Sequence, residues 1–177
     1  MNTFLRPLQE PLEEDFRLPT EYEFEYAARG GRDQNPYPWG GPYVRNTKGC
    51  FLANFKPGRG NYIDDGGFYP VKVNAYFPND YGLYCMSGNV AEWTNTAYAE
   101  SGNNIVSDLS PEYRVTTKNE DNDTYKRKVT RGGSWKDVAF YIQTGTRTQY
   151  EYQDSAKSFL GFRCVMTYIG RSNKDKD

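Results

Sequence analysis

Histidine is absent from this 177-residue chain. Its absence removes the one side chain whose ordinary pKa lies near neutrality, and with it Ser-His-Asp triads, most zinc sites and every iron site built on imidazole. Cysteine is scarce. Cys50, Cys85 and Cys164 are too few and too scattered for a disulfide scaffold or a CxxC metal knuckle. The count allows one pair with one thiol left over, and the spacing does not select the pair. A nucleophilic Cys85 or Cys164 would need a basic or cationic neighbour to become thiolate, so without imidazole both read as buried, inert thiols. No apolar run reaches the roughly 18 residues a spanning helix needs, and residues 1–16 carry no signal-peptide pattern. Net charge is −1, and no cationic stretch is long enough to follow a phosphate backbone or an anionic membrane, so nucleic acid is not an expected partner.

What the chain does have is aromatic bulk: sixteen Tyr, ten Phe and three Trp among 37% apolar residues. Such side chains bury large areas and keep a hydroxyl or indole N–H for hydrogen bonding, so one domain with one sizeable core is expected despite the polar average. Residues 1–16, with Pro7, Pro11 and an acidic run, read as an extended lead-in, residues 17–168 as the folded domain, and residues 169–177 as a charged, frayed tail. Thr20 and Glu23 have capping-box spacing, Phe24, Ala27 and Ala28 follow at helical spacing, and Gly30-Gly31 ends that helix. Pro and Gly punctuate residues 35–80 too densely for long helices. Residues 81–98 suit turns and a short strand, and the polar stretch 100–123 a long surface excursion. Alternation resumes at residues 125–135 around an Arg-Gly-Gly-Ser turn. Leu160, Phe162, Cys164 and Met166, at period two, predict a final strand with these four residues buried.

Five islands then occur in order: Arg17-Leu-Pro-Thr-Glu-Tyr-Glu-Phe-Glu-Tyr-Ala-Ala-Arg-Gly-Gly31, Tyr37-Pro-Trp-Gly40, Gly82-Leu-Tyr-Cys-Met-Ser-Gly-Asn-Val-Ala-Glu-Trp93, Arg131-Gly-Gly-Ser-Trp135 and Gly161-Phe-Arg-Cys164. Together they resemble the sulfatase-modifying, formylglycine-generating enzyme superfamily. The resemblance implies an α+β fold, a variant of the C-type lectin fold that is loop-rich, with small antiparallel sheets and few short helices. The family's usual N-terminal portion is not seen ahead of Arg17. Catalytic members hold copper(I) between two cysteines beyond the Arg-Gly-Gly-Ser turn, and the resemblance places those positions at Asp137 and Ile142. Neither offers the soft thiolate that copper(I) prefers, and related iron enzymes need the histidines this chain lacks, so neither copper nor iron and no catalytic activity is expected.

Members of the family commonly hold structural calcium, which takes hard oxygen ligands. One such site maps to Asn54, the carbonyl of Phe55 and Asp64 or Asp65; a second maps to Glu92 with the carbonyls of Gly88 and Val90, where the family's usual Asn or Asp is Cys85. The bland alternative is that Asp64 and Asp65 solvate a turn and Glu92 pairs locally. Arg131 and Arg163 are expected to hold loop carbonyls, and Trp39, Trp93 and Trp135 to serve the core rather than a sugar platform. In disulfide-bearing relatives the partner position of Cys164 corresponds to Ala28, so that bridge is not expected.

The segments Gly41–Tyr62 and Pro78–Tyr84 are most similar to the ring-forming gliding-motility lipoproteins of the type IX secretion system. That similarity implies a non-catalytic structural subunit, forming a homo-oligomeric ring with a periplasmic partner protein at the periplasmic face of the outer membrane. Attachment would run through a lipid anchor upstream of this chain, with residues 42–59 and 100–123 supplying contacts. A lectin-fold module for a peptide or glycan ligand is the rival expectation. A copper-dependent oxidase is a third, and its thiol pair is missing.

Overall fold

The computed structural model describes residues 16–58, 63, 67–98, 127–147 and 150–166. Residues 1–15 of the lead-in, the excursion and the charged tail fall outside the described residues, while Phe16, expected in the lead-in, belongs to the first strand. Two strand residues, Phe16–Arg17 (β1), precede the helix Glu21–Arg29 (α1); then come Ala91–Ala97 (β2), Arg127–Arg131 (β3), Tyr150–Tyr152 (β4), Leu160–Gly161 (β5) and Val165–Met166 (β6).

The helix begins where its sequence says it should. The Thr20 hydroxyl accepts from the Glu23 amide at 3.1 Å, and Glu23 accepts from the Thr20 amide at 2.8 Å. These bonds satisfy two of the donors that a helix start leaves orphaned. A third donor, the Glu21 amide, bonds across to Thr96 Oγ1 on β2 at 3.0 Å, so the cap also docks the helix on the sheet. Gly30 closes the helix in the left-handed conformation, φ 59°. Asn79 covers the exposed carbonyls there: its Nδ2 donates to Ala27 at 2.6 Å and Ala28 at 3.2 Å.

The main sheet has the order β4-β3-β2-β5. Strands β2, β3 and β4 pair antiparallel, whereas β5 pairs parallel to β2, making this sheet mixed rather than antiparallel throughout. A second sheet holds only β1 and β6, with Phe16 opposite Met166. Phe24, Ala28 and Met86 form one buried cluster, and Tyr37, Phe51, Ala53, Phe55 and Ile142 another. Each of the three tryptophans is half-buried. Trp39 stacks on Tyr37 at 4.8 Å and donates its N–H to the Tyr43 carbonyl at 2.8 Å, as a core-edge residue does.

The expected last strand is corrected. Residues 160–166 form two short strands separated by coil, and the apolar phase faces outward: Phe162 is 70% exposed, Met166 49%, and Cys164 is exposed too. The inward position between Phe162 and Cys164 belongs to Arg163. Its guanidinium grips Glu92 of β2, and a paired, hydrogen-bonded charge on the inner side dictates the phase that apolar counting misreads.

Candidate functional site

The site is built on the turn after β3. Gly132 and Gly133 both have left-handed φ, 86° and 66°. A side chain at Gly133 would come within 2.7 Å of the Tyr141 carbonyl oxygen and 2.8 Å of Ile142 Cγ2, so glycine is required both by φ and by the close approach. Ser134 is fully buried, and its amide and hydroxyl both donate to Asp137 Oδ2, at 2.8 and 2.6 Å. The Asp137 carbonyl in turn accepts from the Lys56 amide at 2.8 Å. Asp137 therefore fixes the turn with one carboxylate oxygen and the loop with its backbone. Ile142 has no exposed surface and lies in the Tyr37–Phe51 cluster. At the two positions that the resemblance assigns to a dithiol, the structure places a hydrogen-bonded carboxylate and a core hydrocarbon.

Beside Asp137 opens a cavity of about 330 Å³. Ala91 and Thr130 of the central strands form its floor, and its walls include Tyr141, Tyr150 and Phe159. Lys136 reaches into it, with Nζ 3.0 Å from the centre of the Phe159 ring.

All three thiols are free: Cys50 and Cys164 are exposed and Cys85 half-buried. Cys164 thus corrects the expectation of a core-facing residue. Burial pushes the Cys85 thiol up, partly offset by nearby Arg163, and its Sγ donates to the Val73 carbonyl at 3.1 Å.

Arg131 is 1% exposed and does hold loop carbonyls. It donates to Thr146, to Thr144 at 2.6 Å and to Glu25, and lies 3.5 Å from Glu21. Burial works to lower its pKa, against the pull of Glu21 and Glu25. Sequence reading missed those two carboxylates. Their signal is the pair of acids four residues apart that α1 turns toward the sheet. Arg163 instead engages both oxygens of buried Glu92 and reaches the Tyr84 carbonyl at 3.1 Å. Burial opposes its charge, yet the Glu92 pairing outweighs it and raises the pKa.

That pairing decides the fit of the second oxygen site. Both Glu92 oxygens face Arg163, so the guanidinium supplies the positive charge a cation would bring there. Gly88 has φ 77° and packs so closely that an added Cβ would meet the Asn54 carbonyl oxygen at 2.4 Å. Val90 lies half-buried against Gly161. This donor set does not suit calcium.

The first site fits better. Asn54 is 1% exposed; its Nδ2 donates to the Tyr69 carbonyl at 2.9 Å, but its Oδ1 is buried with no hydrogen-bond partner. A buried acceptor left unpaired is costly, and a hard cation is one ligand that would satisfy it. Phe55 is buried next to it, and Gly67 closes over the amide where a Cβ would come within 2.7 Å. Asp64 and Asp65 lie outside the described residues. Among the described residues no three Cys, Asp or Glu side chains cluster as a metal site.

Comparison with known proteins places these features. The sulfatase-modifying factor enzyme 1-like domain matches residues 3–168. The chain is 35% identical over 164 residues to the inactive C-alpha-formylglycine-generating enzyme 2 of Mus musculus, covering 90% of this chain and 45% of that protein. It is 36% identical over 155 residues to the formylglycine-generating enzyme of Thermomonospora curvata, covering 84% and 48%. Among solved structures, PvdO from Pseudomonas aeruginosa shares the fold with a TM-score of 0.67 at 24% identity, over 88% of this chain and 54% of that one. The chain spans about half the length of the curated relatives it matches. Family match, relatives and loop-rich α+β fold agree that the chain belongs to the sulfatase-modifying factor, formylglycine-generating enzyme-like family.

Proposed function

We propose that this chain is a non-catalytic member of its family, a structural subunit of a periplasmic ring in the type IX secretion and gliding-motility machinery. One observation carries the non-catalytic part: Asp137 is tied to Ser134 and Ile142 is sealed in the core, at the positions assigned to the copper-binding cysteines. Copper(I) needs soft sulfur, and none of the free thiols stands on that turn. Similarity to a relative named as inactive supports the reading, although active enzymes are similar to the same degree. The ring role is supported by the likeness of residues 41–62 and 78–84 to the gliding-motility lipoproteins, and it brings with it a homo-oligomer, a periplasmic partner and a lipid anchor outside this chain. Calcium at Asn54 and Phe55, completed by Asp64 or Asp65, would serve this role by pinning the loop.

Two experiments test it. Copper(I) titration against a chelator should show no tight two-thiolate site, and a cysteine peptide incubated with protein, copper and dioxygen should remain a thiol by mass spectrometry. Conversion to the aldehyde would end the non-catalytic reading. Light scattering with the periplasmic ring partner should give a large complex, and strictly monomeric behaviour would end the ring reading. The aromatic-walled cavity beside Asp137 favours a second reading, a module that binds a peptide ligand.

A further inference from the structure

Helix α1 and the turn that caps it bring two exposed phenols together. Tyr26 is 69% exposed on α1, and Tyr81 is 47% exposed on the 79–82 turn, which the Gly82 amide closes on the Asn79 carbonyl at 2.9 Å. The ring centres are 5.8 Å apart with planes inclined at 43°, and the Tyr81 hydroxyl donates to the Tyr26 hydroxyl at 3.2 Å. The rings therefore approach each other through their hydroxyl ends, where the reactive flanking carbons are. Both backbones are fixed. Asn79 Oδ1 accepts from the Tyr81 amide at 3.1 Å and the Leu83 amide at 3.0 Å, while its Nδ2 covers the last carbonyls of α1, so one side chain holds the turn against the helix. A Cβ at Gly31 would stand 3.4 Å from the Tyr81 hydroxyl and 3.7 Å from its ring, so the ring sits over the glycine. Arg32 pairs with Asp80, the residue before Tyr81, and ties the same join a second time.

We propose that Tyr26 and Tyr81 form a site of oxidative modification, at which a peroxidase-type oxidant joins the two rings into an intramolecular dityrosine. The proposal goes beyond the reading of the chain as a non-catalytic subunit and does not depend on it. Each phenol gives up one hydrogen atom, an electron with a proton, and becomes a phenoxyl radical. A carbon–carbon bond forms between two flanking carbons, and the hydrogen on each of them moves to oxygen as the rings regain aromaticity. Hydrogen peroxide takes up the two hydrogen atoms and leaves as two waters. The hydrogen bond to Tyr26, with Asp33 nearby, raises the Tyr81 pKa, so at neutral pH that phenol still carries the hydrogen the step removes. Exposure or proximity alone does not select a pair. Tyr43 and Tyr69 are exposed too, but among the described residues neither has a tyrosine ring beside it. Tyr98 and Tyr150 stack at 4.2 Å, yet both are half-buried, and the Arg127 guanidinium lies over both rings, at 5.4 and 5.0 Å, where its charge opposes loss of an electron. A Tyr26–Tyr81 bond spans 55 positions and would tie α1 to the 79–82 turn as a disulfide ties two distant segments.

The test treats the whole chain at micromolar concentration with a peroxidase and limiting hydrogen peroxide. The exposed Cys50 and Cys164 thiols are alkylated first, because thiols compete for the oxidant. A partner on the same chain stands at roughly millimolar effective concentration, so a monomer lighter by two hydrogens should exceed covalent dimer by about a hundredfold. Fragment-ion mapping should place its bond between Tyr26 and Tyr81. Tyr26→Phe and Tyr81→Phe each keep the ring and lose only an exposed hydroxyl, so both should fold as before, with unchanged circular dichroism. Phenylalanine forms no phenoxyl radical, and each variant should lower the intramolecular product about a hundredfold, to the intermolecular level. Tyr22→Phe, one turn earlier on α1, should leave the yield unchanged. Intramolecular dityrosine that persists in either of the first two variants, a bond mapped to Tyr98–Tyr150 or any other pair, or covalent dimer alone overturns the proposal. So does the absence of dityrosine in the unsubstituted chain.

Discussion

Replacing Arg131 with Met tests the physical reading of the turn more directly than any other single change. The methionine side chain keeps most of the volume, so the cavity contribution is small. What disappears is a donor set at a position 1% exposed, and with it the partners of the Thr144 and Thr146 carbonyls. Glu21 keeps Arg147 at 2.7 Å and Glu25 keeps Arg29 at 2.6 Å, so neither carboxylate is stranded. Two unsatisfied acceptors at about 1–3 kcal/mol each, together with the lost pairing, set the loss at about 3–5 kcal/mol. With a urea m-value of about 2–3 kcal/mol/M, the unfolding midpoint should fall by about 1–2 M at unchanged m. Glu25→Gln is the control: its side chain is 28% exposed, and if carbonyls rather than ion pairing make Arg131 indispensable it should cost less than about 1 kcal/mol. A midpoint shift below about 0.3 M for Arg131→Met, or equal losses in the two variants, would refute the reasoning.

Three further outcomes follow from the same geometry. Gly133→Ala should destabilise by clearly more than about 2 kcal/mol, whereas Gly49→Ala, at φ 84° with nothing within 4 Å, should cost only the left-handed strain of about 1–2 kcal/mol; equal urea midpoints would remove the close approach as a cause. Arg17 chiefly, helped by the Thr20 amide and opposed by partial burial, holds the Glu23 carboxyl at about 2 against an ordinary 4.5. The folded state then binds fewer protons than the unfolded one between those values, so the stabilisation is complete above about 4.5 and fades as pH falls toward 2. Glu23→Gln should flatten that part of the pH profile, modestly because the pair is 30% and 43% exposed, and an unchanged slope in urea titrations from pH 3 to 6 would count against the pairing. Calcium at about a hundred times its dissociation constant should add about 2.7 kcal/mol to unfolding stability if Asn54 Oδ1 is a ligand, and a melting temperature indifferent to millimolar calcium would exclude the site.

The parts of the fold that could be read from sequence are those fixed by neighbours a few residues apart. The capping box needs only Thr20 and Glu23, the helix stop needs Gly30, and the turn after β3 needs two glycines whose φ values leave little choice. The positions of Asp137 and Ile142 could likewise be counted from that turn, and the structure ties the first to Ser134 and packs the second in the core. By contrast, the parallel pairing of β2 with β5 joins residues about seventy positions apart through Ala91 and Leu160, and no local pattern specifies it. Likewise Lys136 and the Phe159 ring come together only when the β3 turn meets the segment before β5.

Arg163 shows why the final strand was misread. An apolar count along 160–166 assigns the inner phase to Leu160, Phe162, Cys164 and Met166, because it treats a charge as a marker of solvent. Glu92 reverses that inference: it is 5% exposed on β2, and leaving it unpaired would cost more than exposing Phe162. The arginine therefore points inward from the coil between β5 and β6, and its neighbours Phe162 and Cys164 are left on the outer side. The same pairing engages both oxygens of Glu92, the one side-chain ligand mapped to the second calcium site. The outward phase of Phe162 and the engagement of both Glu92 oxygens are thus consequences of one long-range ion pair. Replacing Arg163 and Glu92 together by apolar residues tests both at once, because the pair would vanish without leaving either charge buried alone.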